Sequence, residues 1–325
     1  MHYLIIYCRS CSRRIIPVFR ITTGIIILSF FAASPVFAQR AGITMEPMDP
    51  PGAQYYLNRY IGNPAMAGAD SSLNLTAAYQ NEWQDIPGAP VVATFAADVY
   101  FGKRVGAGVT VNQDNAGLIN RNRVALSYAY HLPLSDRQQL HMGISAVLLN
   151  TRIDPQKVQG DADDPEVGEY NRNGTYFEGD FGIAYTDPHW TIQAALPNLV
   201  GFFKKNIYNQ ADVASFYTAA SYRFFFDGAL SSLEPEVCYR GIKGIKGIAD
   251  MGVNAAFLRD QINLFGMYHS SGNFTAGAGF TIASTVAIQG LYTTQTSGLK
   301  TYFSGKYEID VHVRLFHNKI ELLHD

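Results

Sequence analysis

Cysteine is scarce in this 325-residue sequence: of three, Cys8 and Cys11 fall in the first 38 positions and Cys238 alone lies beyond them. If that leader is removed on export, no internal disulfide can form, so the C-x-x-C spacing is accidental and the fold must be held by other means. Charged residues are also few, 16% against 47% hydrophobic, a balance that excludes a disordered chain. Beyond the leader there is no apolar run of about 18 residues or more, which excludes a helical membrane protein on length.

Catalytic signatures are missing too. The sequence has no GxSxG elbow, P-loop, HExxH or GxGxxG. Gly241-Ile242-Lys243-Gly244-Ile245-Lys246-Gly247 has the glycines of a phosphate loop but neither its Gly-Lys-Ser/Thr ending nor a following helix, and reads as a flexible basic loop. The eight histidines show no metal-ligand spacing. His141 and Ser145 share one strand face, yet two pleats separate them, too far for the direct proton transfer of a phospholipase. No catalytic, cofactor or metal residue is assigned. Asp154, Asp161, Asp163, Asp164, Glu166 and Glu169 form an acidic loop that could attract calcium, but their spacing matches no EF-hand and they read as a solvated surface.

What is present is a leader, then strands. Arg9, Arg13, Arg14 and Arg20 precede the apolar run from Gly24 to Phe31 and the segment Ser34-Pro35-Val36-Phe37-Ala38, the pattern of a secretory signal peptide cleaved after Ala38. Loss of those four arginines moves the net charge from −2 to −6, so no nucleic-acid partner is expected. Residues 39–70 read as a periplasmic arm. From 71 to 316 the chain alternates with a period of two through about fourteen candidate strands, and 317–325 forms a tail. With 20 Tyr, 20 Phe and 29 Gly, the composition suits strands, turns and membrane interfaces.

The first hairpin shows the pattern. Leu73, Leu75, Ala77, Tyr79 and Trp83 oppose Asn74, Thr76, Gln80 and Glu82; after Gly88-Ala89-Pro90, Val91, Ala93, Phe95, Ala97 and Val99 oppose Thr94 and Asp98. Connection lengths suggest that the apolar face meets lipid. Joints after even-numbered strands are short, whereas those after odd-numbered strands, including 114–121, 152–173 and 197–212, tend to be long, with the short turn from Ser270 to Asn273 as the one clear exception. That is the parity of an all-β, transmembrane antiparallel β-barrel in the outer membrane, its short turns in the periplasm and its outer surface on lipid. In this register Asp98, Arg123, Arg223, Glu234, Glu236, Arg240, Asp250, Asp310, His312 and Arg314 face the lumen, as ion-pair ladders or as the lining of a selective pore. The last strand, Lys306 to Phe316, should close on the first. Leu75→Arg should disturb assembly far more than Thr76→Arg.

Several motifs resemble the PorP/SprF family of type IX secretion outer-membrane proteins of the Bacteroidota. They are Met48-Asp49-Pro50, Gln54-Tyr55, Asn63-Pro64-Ala65-Met66-Ala67-Gly68, Tyr79-Gln80-Asn81-Glu82-Trp83, Gly88-Ala89-Pro90, Val105-Gly106-Ala107-Gly108 and Asn112-Gln113-Asp114. The chain departs from the family at Met66, Gln80 and Glu82, where Tyr, Arg and Gln are usual. The resemblance implies a non-enzymatic barrel without cofactor. It would work with type IX components and support secretion or anchoring of an adhesin bearing a C-terminal sorting domain, often in gliding motility. A porin or fatty-acid-type transport channel is the alternative.

Overall fold

The computed structural model describes residues 51–82, 88–157, 165–172, 174–203, 215–242, 247–294 and 305–316. The expected leader, positions 39–50 of the arm, Trp83, residues 158–164 of the acidic loop and the tail lie outside the described residues. The fold is a closed antiparallel barrel of fourteen strands. They are β1 (Leu73–Glu82), β2 (Val91–Gly102), β3 (Val105–Ala116), β4 (Ile119–Pro133), β5 (Gln139–Ile153), β6 (Thr175–Thr186) and β7 (Trp190–Leu196). β8 (Ser215–Tyr222) is prolonged past Arg223 by Phe224–Phe225. The ring continues with β9 (Leu230–Ile242), β10 (Ile248–Phe257), β11 (Ile262–His269), β12 (Phe274–Ile282), β13 (Val286–Thr293) and β14 (Lys306–Leu315).

Each strand pairs with its neighbours in sequence, and β14 closes on β1 with Leu315 opposite Leu73 and Lys306 opposite Glu82, as the alternation predicts. Closure leaves no unpaired edge, so every strand is held on both sides without a disulfide. No helix of the described residues is long and apolar enough to cross a membrane.

The two faces divide as lipid on the outside requires. On β5, His141, Gly143, Ser145, Val147, Leu149 and Thr151 are buried, while Met142, Ile144 and Leu148 are exposed. Leu126 on β4 is 63% exposed and Ile309 on β14 is 60% exposed. Buried Asp, Glu, His, Asn and Gln crowd the inner face instead. A soluble sandwich buries its apolar face; this barrel turns it outward.

Besides the short β11–β12 turn at 270–273, one more connection departs from the parity pattern. The joint expected at 114–121 shrinks to Gly117-Leu118, because β3 and β4 run on as a ladder to Ala116 opposite Ile119. Asp114 and Arg121 face one another across that ladder at 3.7 Å, and Gly117 turns the chain at φ 58°. Polar residues that read as a loop are the outer end of a hairpin. The longer joints carry short helices, Pro165–Arg172 between β5 and β6 and Leu199–Phe203 between β7 and β8. At the opposite end, Lys103 and Arg104 make a two-residue turn with both φ positive, the geometry that matches strand twist.

Residues 51–70 correct the expectation of an arm. They fold into the lumen, where Ala53, Tyr55, Tyr60, Asn63, Ala65 and Ala67 are buried against the inner wall. Polar side chains inside the barrel need partners, and this segment supplies them.

Candidate functional site

The lumen segment consists of three single turns: helical Ala53–Tyr56 and the 3-10 turns Arg59–Ile61 and Pro64–Met66. Two asparagines start the latter pair. Asn58 and Asn63 have extended backbones and accept from the N–H of Tyr60 and Ala65, both at 3.0 Å, as N-caps do. Pro64 follows in the first position, where its fixed φ is already helical and its missing N–H costs nothing.

Capping uses only the amide oxygen of each asparagine. The Nδ2 groups reach the wall: Asn58 donates to Thr76 Oγ1 (2.9 Å) and Asp98 Oδ1 (3.2 Å). Asn63 donates to Ile183 O (3.2 Å), Gln193 Oε1 (3.3 Å) and Ala194 O (3.4 Å). The same side chains thus shape the segment and fasten it.

Small residues make room for it. The ladder places Gly106, Ala129, Gly143, Gly182 and Ala195 side by side across β3 to β7. A Cβ at Gly106 would overlap Ala67 O, one at Gly143 would overlap Pro64 and Ala65, and one at Gly182 would overlap Asn63. Bulkier inner residues would lift the segment off the wall.

Around the ring the segment meets strand after strand. Gly68 N donates to Asp98 Oδ2 (2.9 Å), and Ala67 O lies 3.0 Å from His131 Nε2. That carbonyl makes Nε2 the donor, so in a neutral pair His131 Nδ1 accepts from His141 Nδ1 at 2.7 Å. Tyr60 OH donates to Ser127 Oγ (2.9 Å), which bonds Ser145 (2.8 Å). Ser145 and His141 therefore have separate partners and form no nucleophile–base pair.

Charge is concentrated opposite Arg59. Its guanidinium pairs with Glu234 and with Glu236 (3.4 Å), and donates to Ser221 (3.1 Å). Burial works to lower the Arg59 pKa, but the two carboxylates outweigh it and hold the guanidinium charged. Arg223 takes the other side of Glu234 at 2.6 Å. Asp250, fully buried, receives Arg240 Nε (3.0 Å), His269 Nδ1 (2.7 Å) and Tyr55 OH (3.4 Å). Arg123 pairs with Asp180, and Arg314, at the rim, with Asp70 (3.4 Å). Asp310 accepts from Gln289 at 2.7 Å, and His312 contacts Thr76 at 2.9 Å. Among the described residues no three His, Cys, Asp or Glu side chains converge as a metal site.

The sequence reading missed Asn58, Arg59 and Tyr60, whose wall partners lie 18 and 40 positions away for Asn58, 67 for Tyr60 and 175 or 177 for the carboxylates of Arg59. Two signals were available: Asn58 and Asn63 each precede a short turn, and glycines recur at inward positions of β3, β5 and β6.

A family model described as "Type IX secretion system membrane protein PorP/SprF" matches residues 45–313, from just ahead of the lumen segment into β14. The chain belongs to the PorP/SprF family. Its barrel is thus a type IX secretion outer-membrane barrel. The PorP/SprF motif residues take several places. Asn63, Pro64 and Ala65 sit in the lumen, and Gly68 turns at φ 68° where a Cβ would crowd Val99 O. Tyr79 faces outward, while Gly88, Ala89 and Pro90 complete the β1–β2 connection, with Gly88 at φ 81°.

Among solved structures, this PorP/SprF chain is similar to the CymD monoaromatic hydrocarbon channel (TM-score 0.48, 11% identity, 83% of this chain and 95% of that one). It is also similar to the Acinetobacter baumannii outer membrane protein Omp33 (TM-score 0.47, 8% identity, 76% and 100%). A third is the Ralstonia pickettii toluene transporter TbuX (TM-score 0.46, 14% identity, 80% and 94%). No curated protein matches.

Proposed function

We propose that this PorP/SprF protein is a closed docking barrel: a non-enzymatic component that supports secretion or surface anchoring of a cargo protein with a C-terminal sorting domain. The observation that carries this reading is the occupied lumen. Residues 51–70 are fastened to strands around most of the ring, and Asp98, Glu234, Glu236, Asp250 and Asp310 are each at most 2% exposed. A diffusion channel needs its charged lining wet, and here those carboxylates are buried.

Contact with other proteins then falls to the rims and loops. Loop parity favours short turns toward the periplasm and type IX components, and longer loops toward the cell surface and the cargo. The leader 1–38, with cleavage after Ala38, would deliver the chain by secretory export. A gliding adhesin as cargo, and a source among the Bacteroidota, belong to the same proposal.

Capture with an adhesin's isolated C-terminal sorting domain tests the role. Retention of the purified barrel, lost when the 152–173 and 197–212 loops are shortened, supports it; no retention, together with a large stable conductance, favours a transport channel.

A further inference from the structure

Most buried wall carboxylates have a cationic partner: Glu234 and Glu236 share Arg59, Asp180 has Arg123 and Asp250 has Arg240. Glu308 and Asp310 break this rule. They face inward two residues apart on β14, 5% and 0% exposed, and no Lys, Arg or His pairs with either among the described residues. Their hydrogen-bond donors are neutral: Ala53 N to Glu308 Oε1 (3.2 Å), Gln80 Nε2 to Glu308 Oε2 (3.3 Å) and Gln289 Nε2 to Asp310 Oδ2 (2.7 Å). Lys306 lines a cavity of about 10 Å³ with Glu308, but makes no ion pair with Glu308 or Asp310 among the described residues.

A separate observation points to what is missing. Asp310 Oδ1 and Gln80 Oε1 have no hydrogen-bond partner, and Gln80 is 1% exposed. The register sets Gln80 opposite Glu308 and Ala78 opposite Asp310, which puts Gln80 diagonal to Asp310 on the inner face. Its Nε2 is committed to Glu308, so its carbonyl oxygen is held at the cluster. Turning the amide over would point that oxygen at the Glu308 carboxylate, where two acceptors repel. Asp98 also lacks an arginine, but its oxygens are satisfied by Asn58, Asn74 and the Gly68 N–H. Among the described residues, only the Glu308–Asp310 pair combines two adjacent carboxyl groups that lack a cationic partner with two idle acceptor oxygens.

We propose that Gln80, Glu308 and Asp310 bind a calcium ion at the seam where β14 closes on β1. Two carboxylates and an amide carbonyl are hard oxygen ligands whose charge balances a divalent ion, and water completes its coordination. Gln289 orients Asp310. Because Glu308 also holds the N–H of Ala53, the ion would tie the start of the lumen segment to the closing seam.

The test uses the full barrel folded in detergent and dialysed against buffered calcium. Elemental analysis should find about one calcium per chain, retained in Asp161→Asn/Asp163→Asn/Asp164→Asn and lost in Glu308→Gln/Asp310→Asn. Chelation should lower the unfolding midpoint by on the order of 5 °C. In Gln80→Arg, whose guanidinium supplies the missing charge, chelation should have no effect. Gln80→Met keeps both carboxylates and decides the matter if the double variant does not fold: its calcium affinity should fall at least about tenfold. Absence of bound calcium with a chelator-insensitive midpoint, calcium lost only with the loop carboxylates, or unchanged affinity in Gln80→Met would each overturn the proposal.

Discussion

Asn63 lies against Gly182 so closely that a Cβ on that glycine would overlap the Asn63 amide oxygen. Gly182→Val should therefore unseat the segment while leaving the outer face of β6 untouched. Proteolysis within 51–70, negligible in the native barrel, should become rapid, and the gel shift that reports barrel folding should persist. Equal resistance in both proteins would mean the glycine seat is not needed.

Arg59 and Glu236 make a second test of the same contact. Arg59→Met leaves Glu236 buried without its cation, whereas Glu234 keeps Arg223. The expected loss is about 3 kcal/mol, the cost of breaking one side of a buried pair. Adding Glu236→Gln should recover part of it, because the orphaned charge is then gone. A denaturant unfolding cycle over the two positions measures the coupling; additive losses would contradict it.

The outward face is tested by one substitution at two depths. Leu126 projects from the middle of β4, and Leu134 from the turn beyond its end. Leu126→Arg should cost roughly 2–4 kcal/mol in a bilayer and Leu134→Arg no more than about 1 kcal/mol. Unfolding from lipid vesicles gives both values. The comparison of Leu75→Arg with Thr76→Arg no longer discriminates. Thr76 is 1% exposed and bonded to Asn58 and His312, so arginine has no room there either.

That revision shows where the sequence stopped being readable. Alternation of Leu75 with Thr76, or Ile309 with Asp310, reports the two faces of each strand, because every second side chain must face hydrocarbon. It also gave the closure of Lys306–Leu315 on Leu73–Glu82. What fills the inside leaves no such period. Asn58, Arg59 and Tyr60 fell within the expected periplasmic arm, since their partners Asp98, Glu234 and Ser127 are distant in sequence and meet them only in the closed barrel. The joint at 114–121 misled for a related reason: inward positions in this barrel accept charge, so Asp114 and Arg121 looked like loop residues while belonging to strands.

Asp187 offers a pH-dependent test outside the spanning strands. In the β6–β7 turn its carboxylate accepts from Trp190 N (2.7 Å) and His189 N (2.8 Å), and these bonds hold its pKa below the ordinary value. A depressed pKa adds stability above the unfolded-state value of about 3.9, and that stability is lost as pH falls through the lower folded value. Exchange protection of the His189 and Trp190 amides should decline over that interval in the native protein, and be low throughout in Asp187→Ala. Protection that ignores both acid and the substitution would contradict the assignment.

The most direct test of a filled barrel is electrical. Single-channel recording of the purified protein in a planar bilayer should show no large, stable open state, whereas a variant lacking residues 51–68 but retaining all fourteen strands should conduct. A large, stable conductance from the native protein, equal to that of the shortened one, would contradict the account.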